Sequence, residues 1–317
     1  MGKRDIADRN FFADRNRFAE LVNVSIYRGR SLILPENLMQ IKGKYPSLSG
    51  NSGEKERDIL MKDKRRNLCY GLEIETESDY SMPERVMVYD ACEYEQQIRA
   101  IHSTHRNKKD YKKYREWKSR MKENDFLVPV ITLVLYLGEG KWEGRQKFSQ
   151  MFHLPEGSGK IPGLKVQDYD INLIEADCEN PESYQTDLKQ FFQAMQCRRD
   201  KGRLENLFQT EEFKSLKAET EWAIAAHLHI KGLMGKMKEE IPMCKAFDDL
   251  AKEWKQEGKR EGRKEGKREG RKEGKREGRK EEKILIIRRM IKEGLDEPLI
   301  SRTTRCTKEE FAAALGK

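Results

Sequence analysis

The stretch from Arg57 to Gln97, RDILMKDKRRNLCYGLEIETESDYSMPERVMVYDACEYEQQ, reads as strand, tight turn, strand and helix. Two runs, Asp58 to Asp63 and Leu68 to Thr76, flank the polar Lys64-Arg65-Arg66-Asn67, which turns the chain over into an antiparallel hairpin. With the turn centred between Arg65 and Arg66, Asp58 falls opposite Glu73. Side chains alternate along a strand, so Glu73 and Glu75 share one face while Leu72, Ile74 and Thr76 point to the other. The same parity brings Glu56 near Glu75. Facing carboxylates repel, and a cluster of them calls for a cation; a hard divalent ion such as Mg²⁺ suits oxygen ligands of this kind. The bland alternative is a solvated acidic face. Ser81 and Glu84 then have capping-box spacing, and Pro83 fits the first turn of a helix. Val86, Tyr89, Tyr94, Ile98 and Ile101 give that helix a buried stripe reaching His102, with Asp90 and Gln97 expected at the edge of the acidic cluster.

Upstream, Phe11, Phe12, Phe18, Leu21 and Val22 predict one amphipathic helix from Ile6 to about Ile26, followed by an extended Leu32-Ile33-Leu34-Pro35 and the polar loop SLSGNSGEKE. Downstream, His102 and His105 are expected to be solvated rather than metal ligands. The run RNKKDYKKYREWKSRMK, Arg106 to Lys122, has nine basic residues against two acidic. Its Tyr111, Tyr114, Trp117 and Met121 form a stripe expected to pack on the body of the protein. The opposite face would then present Lys108, Lys109, Lys112, Lys113, Arg115 and Lys118, a candidate phosphate-tracking surface for DNA or else a solvated face. Phe126 to Leu137 (FLVPVITLVLYL) reads as a buried central strand, and a second strand is expected at Asp168 to Ile174 after the loop HLPEGSGKIPG. Tyr184 to Leu250 is helical in pattern, with Leu188, Phe191, Phe192 and Met195 in one helix and Trp222, Ile224, Leu228 and Leu233 in another. His227 and His229, two apart, are poor joint ligands.

A chain of 317 residues can bury a substantial core, and its net charge is +9. Fifteen Lys or Arg against nine Glu lie between Lys252 and Lys283, so two thirds of the excess sits there. An anionic partner, nucleic acid or a membrane surface, follows from such a balance. Within it, Glu257 to Lys280 is three copies of EGKREGRK. Glu-to-basic pairs three apart favour helix and six glycines oppose it, predicting a marginal helix that serves as a basic spacer or a self-association segment. A short helix through Ile284, Leu285, Ile287, Met290 and Ile291 ends at Gly294, and another starts near Thr307, in capping-box spacing with Glu310. Six scattered cysteines without a CxxC pair read as reduced thiols, and no apolar run approaches a membrane span; a cytoplasmic protein is expected. The divisions expected are 1–180 as a core, 181–250 as a helical extension, 251–282 as spacer and 283–317 as a small helical module.

Arg57-Asp58, Gly71-Leu72-Glu73, Thr76, Met82-Pro83-Glu84-Arg85, Tyr89-Asp90, Tyr94 and Gln97, together with the block Pro129 to Trp142, resemble the recombination-promoting, transposase-related nucleases of the PD-(D/E)XK superfamily. The resemblance implies an α/β fold with an αβββαβ core, a mixed central sheet flanked by helices, and a C-terminal helical extension. It implies a Mg²⁺-dependent DNA endonuclease of mobile-element recombination in which Asp58 and Glu73 ligate the ion, with Arg85, Tyr89, Asp90 and Gln97 in support. One position departs. Glu75 stands where that family usually has Gln and the superfamily a catalytic Lys, and an ionised Glu accepts but does not donate, so Glu75 is carried as a third catalytic candidate that binds a second ion or takes a proton, or else marks a weakened nuclease. A DNA-binding relative with weakened catalysis is therefore the alternative, and a protein that self-associates through its repeat is the alternative of another class.

Overall fold

The computed structural model describes residues 3–46, 54–153 and 167–316, except 229, 231, 234–236 and 238–241. Most of the loops SLSGNSGEKE and HLPEGSGKIPG, and His229, thus lie outside the described residues. The chain divides into two compact units, Met1–Phe247 and Asp248–Lys317.

The first unit is mixed α/β. Helix α1 (Lys3–Phe12) and α2 (Arg15–Ser25) replace the single helix expected, because Asp14 adopts extended backbone and its carboxylate accepts from the amides of Asn16 and Arg17, starting a new helix. Leu34 is held extended before Pro35, and a 3₁₀ turn (Pro35–Asn37) leads into β1 (Leu38–Gln40). After β2 (Lys44–Pro46) and β3 (Glu54–Glu56) come the hairpin strands β4 (Ile59–Asp63) and β5 (Leu68–Glu75), the long helix α3 (Met82–Lys108), the short α4 (Tyr114–Ser119), β6 (Val130–Tyr136) and β7 (Asn172–Glu175). The main sheet runs β1-β4-β5-β6-β7. Its first three strands are antiparallel and β5, β6 and β7 are mutually parallel; β6 is an interior strand, paired on both sides as its apolar run requires, but β5 and not β6 is the middle strand. The hairpin has the register the turn predicts, Ile59 opposite Leu72 and Asp63 opposite Leu68.

A parallel neighbour needs a crossover, and α3 supplies it between β5 and β6. Met82 and Val86 of α3 pack on Val134, Tyr136 and Trp142. On the opposite face of β5, Tyr70 shares a hydroxyl hydrogen bond of 2.7 Å with Tyr27, in the turn after α2. Helices α5 (Leu188–Cys197), α6 (Lys201–Phe208), α7 (Glu211–Lys214) and α8 (Ala218–His227) follow. Phe11, Phe12 and Phe191 meet at centroid distances of 5.0–5.3 Å, and the buried His227 bonds Asp8 of α1 at 2.8 Å, tying this helical segment to the N-terminus.

Three local expectations change. Helix α3 does start at Met82 with Pro83 in its first turn, but Ser81 makes no capping bond, because its hydroxyl donates to Asp79 instead. Glu56 does not pair toward Glu75. The carboxylate of Asp58 accepts the Ile74 amide that a longer β4 would have served, and Glu54–Glu56 pairs with Lys44–Pro46 in a separate two-stranded sheet. Finally, Tyr114 and Trp117 are exposed rather than packed on the body.

The second unit is helical. Helix α9 (Met243–Lys292) contains the repeat without interruption, and the glycines from Gly262 to Gly278 face open space. The stretch Ile284 to Ile291 is its final part rather than a separate helix. It stops before Gly294, whose φ of +78° suits glycine. Helices α10 (Glu297–Thr304) and α11 (Lys308–Leu315) complete a small core around Ile287, Ile300 and Ala314, and Thr307 forms the expected capping box with Glu310. None of the described helices is long and apolar enough to cross a membrane, and all six cysteines are free thiols.

Candidate active site

Where the hairpin meets α1 and the start of α3, a cavity of about 360 Å³ is lined by Asp58, Glu73, Glu75, Arg9, Arg85 and Tyr89, and also by Asp5, Asp8 and Glu56. The hairpin register is the reason the carboxylates meet. Asp58 stands one residue before β4, and its Oδ2 accepts from the Ile74 amide at 2.8 Å. Its Oδ1 accepts from Arg9 Nε at 2.9 Å and lies 2.7 Å from Arg9 Nη2. Arg9 Nη1 also lies 3.8 Å from Glu56, which Lys44 approaches to 3.5 Å.

Glu73 lies deepest. Its residue is 2% exposed, and its Oε1 is buried with no hydrogen-bond partner. Its other oxygen has Arg85 at 3.7 Å. Burial first, and then the charge of Asp58, push the Glu73 carboxyl up to about 8 against the opposing pull of Arg57 and Arg85. Arg85, in the first turns of α3, is shared: it ion-pairs with Glu75 and meets Asp79 at 3.0 Å. One guanidinium thus faces three carboxylates. Burial also raises the pKa of Glu75, although Arg85 opposes the shift.

Beneath the cavity lies a second network. Arg57 is fully buried and ion-pairs with Asp90; it also donates to Thr132 Oγ1 at 2.6 Å, and Thr132 in turn donates to Asp90 at 2.7 Å. Tyr169 adds a hydroxyl bond to the other oxygen of Asp90. Gly71 makes the approach possible, since a Cβ there would stand 2.0 Å from Arg57 Nη1. Asp90 therefore holds Arg57, the residue before Asp58, and is not part of the acidic cluster. Gln97 is likewise elsewhere: it donates to Val128 O at 3.2 Å and accepts from Val128 N at 2.7 Å, fixing the entry to β6. Tyr89 does reach the cavity, its hydroxyl donating to the backbone of Glu56 at 3.3 Å.

The structure brings Asp58, Glu73, Glu75, Arg85 and Tyr89 together and adds Arg9, which no local pattern singles out. It leaves Lys108, Lys109, Lys112, Lys113, Arg115 and Lys118 apart. They are exposed on the excursion between α3 and β6, at the far end of α3 from Arg85. His105 is not solvated as expected. Its two ring nitrogens lie 2.8 Å from Asp110 and 3.0 Å from Asp125, and His102 bonds the Tyr111 hydroxyl at 3.0 Å.

Among the described residues no three His, Cys, Asp or Glu side chains form a ready cage for a metal ion. Mg²⁺ rarely uses such a cage; it keeps waters and takes one or two carboxylates plus substrate oxygens. Asp58 and Glu73 are a pair of that kind, and Glu73 Oε1 is a buried acceptor with no hydrogen-bond partner among the described residues. No protein-family model, curated protein or solved structure matches the chain.

Proposed function

We propose that the protein is a Mg²⁺-dependent DNA endonuclease of mobile-element recombination, with Asp58 and Glu73 as the residues that hold the ion. The observation that carries this reading is Glu73 Oε1, a buried carboxylate oxygen without a partner in a polar cavity that Asp58 shares. A buried, under-neutralised acid costs folding energy, and a cation-binding role is the physical reason to retain it. The order α2, β1, β4, β5, α3, β6 supports reading the first unit as the αβββαβ core of the PD-(D/E)XK nucleases.

When bound, the ion would lower the pKa of a coordinated water and offset charge on the phosphate. The protein's own groups do the rest. Arg9 and the Ile74 amide fix the Asp58 carboxylate, and the Arg57–Asp90 pair fixes the strand entry next to it. Arg85 supplies a cation at the cavity wall and answers the departure at position 75, because its guanidinium offsets the negative charge that would otherwise repel a phosphate. The same contact favours the second reading, a DNA-binding relative with weakened catalysis, since an Arg85 held by Glu75 is less free to meet a phosphate.

Supercoiled plasmid incubated with the protein and Mg²⁺ tests both. Nicking that disappears in Asp58→Ala and Glu73→Gln supports the nuclease. Glu75→Gln cleaving much faster than wild type selects the second reading. No nicking by wild type or by Glu75→Gln overturns the proposal.

A further inference from the structure

We infer that the excursion between α3 and β6 is a separate binding surface for single-stranded nucleic acid, with Tyr114 and Trp117 as stacking platforms for unpaired bases. Three large aromatic side chains on it are open to solvent: Tyr114 at 77%, Trp117 at 60% and Phe126 at 80%. Tyr114 and Trp117 are three residues apart on α4 and so lie on one side of it. Leaving such rings in water forgoes the stabilisation that burial would give, and the excursion is no loose flap on which exposure is incidental.

Its frame is pinned at several points. His105 joins Asp110 to Asp125, and Lys122 meets Asp110 at 2.7 Å. The Tyr111 hydroxyl bonds the Arg120 carbonyl at 3.0 Å, and Glu116 accepts from the amides of Lys112 and Lys113 to start α4. Within this frame Lys108, Lys109, Lys112, Lys113, Arg115 and Lys118 are exposed, and none makes an ion pair among the described residues. Cations free for phosphates, interleaved with open rings on a fixed support, are what binding of a single strand requires, because every unpaired base offers a π-face. A duplex hides its bases' faces by stacking and would use the cations alone. Membrane insertion fits less well, since charge interrupts the rings and leaves no continuous apolar face.

The surface is remote from the carboxylate cavity. Arg85 and His105 are twenty residues apart in α3, so about 30 Å separates them along the helix axis at about 1.5 Å per residue. The inference takes from the nuclease reading only the class of partner.

The test is fluorescence anisotropy in EDTA at about 50 mM salt. The probes are an oligothymidylate of about 20 nucleotides, longer than a typical single-strand site, and a duplex of equal length. Wild type should bind the single strand. Tyr114→Ala/Trp117→Ala, both at exposed positions, should lose at least about tenfold on the single strand, while duplex affinity changes less than about twofold. Trp117→Phe with Tyr114 intact should keep most of the affinity. Equal losses on both probes, no loss on either, or no binding by wild type would each overturn the inference. Ring-dependent binding to phosphatidylserine vesicles with oligonucleotide binding unmoved would reassign the surface to membranes and overturn it as well. With EDTA present no cleavage enters the measurement, so a protein that never nicks plasmid but loses single-strand binding with its rings leaves this surface standing while the nuclease reading falls.

Discussion

Replacing Glu73 by Gln should stabilise the protein at alkaline pH and do little at acid pH. The carboxyl stands at about 8 in the folded state against an ordinary 4.5. Between those values the folded chain holds a proton that the unfolded chain has released, so folding loses stability as pH rises from about 4.5 through about 8. The gap between 4.5 and about 8, at about 1.4 kcal/mol per pH unit, sets an upper bound of about 5 kcal/mol on the penalty above pH 8. The groups facing Glu73 are Asp58, Arg57, Arg85, Glu75 and Tyr89, and the Gln variant leaves them all in place. Urea unfolding in EDTA, followed by the fluorescence of the four tryptophans, measures the difference. It should be about 1 kcal/mol or less at about pH 5 and reach several kcal/mol in the variant's favour at about pH 9. A difference that stays constant across that range would refute the electrostatic account of the cavity. Mg²⁺ extends the test: at about pH 9 it should stabilise wild type by about 3 kcal/mol at a hundredfold excess over its dissociation constant, and leave the variant unmoved. Equal stabilisation of both proteins would place the ion elsewhere.

Other consequences follow from the same contacts. Asp90→Asn leaves Arg57 as an uncompensated buried cation and should cost about 3–5 kcal/mol in urea unfolding; a loss below about 1 kcal/mol would mean that Arg57 reaches water. The bonds to Asp125 and Asp110 raise the pKa of His105 above its ordinary 6.5. Its support of the α3–β6 excursion is therefore full below about 6.5 and fades as pH rises through the raised value. Hydrogen exchange of residues 110–125, normalised for intrinsic rates, should show protection over His105→Gln that vanishes at high pH. Replacing the glycines at 262, 266, 270, 274 and 278 by Ala meets no neighbouring atom. Each change should add about 0.8–1 kcal/mol to the helix, visible as a higher-melting circular dichroism signal at the helix minimum.

What the sequence makes legible here is local. The hairpin register follows from four polar residues and strict alternation, and Ile59 does stand opposite Leu72. The apolar run marks β6, although its first residues belong to the approach, Phe126 being exposed and the strand starting only at Val130. Periodicity fails where the answer depends on what lies opposite. The spacing of Tyr114 and Trp117 correctly puts them on one side of a helix, but says nothing about whether a surface is there to receive them. For Asp90 the spacing along α3 fixes a direction, while the partner it finds depends on Gly71 leaving room for the Arg57 guanidinium. Arg9 is beyond any local signal, since it meets Asp58 across 49 residues through the packing of α1.

These long-range partners also explain why the acidic cluster is tolerable without a bound ion. Pairing arithmetic alone predicts facing carboxylates and hence a demand for a cation. Arg9 and Arg85 meet part of that demand from within the chain, one holding Asp58 and the other divided among Glu73, Glu75 and Asp79. The division is uneven. Glu75 and Asp79 take the close contacts of Arg85, and Glu73 keeps one oxygen with no partner and a carboxyl that ionises only near pH 8. If the cavity were only structural, the simplest repair would be a Gln at position 73, which could satisfy its polar atoms without a charge. Under the function proposed above the carboxylate is kept for an external cation, and the pH-resolved comparison of wild type with Glu73→Gln, with and without Mg²⁺, separates these two accounts.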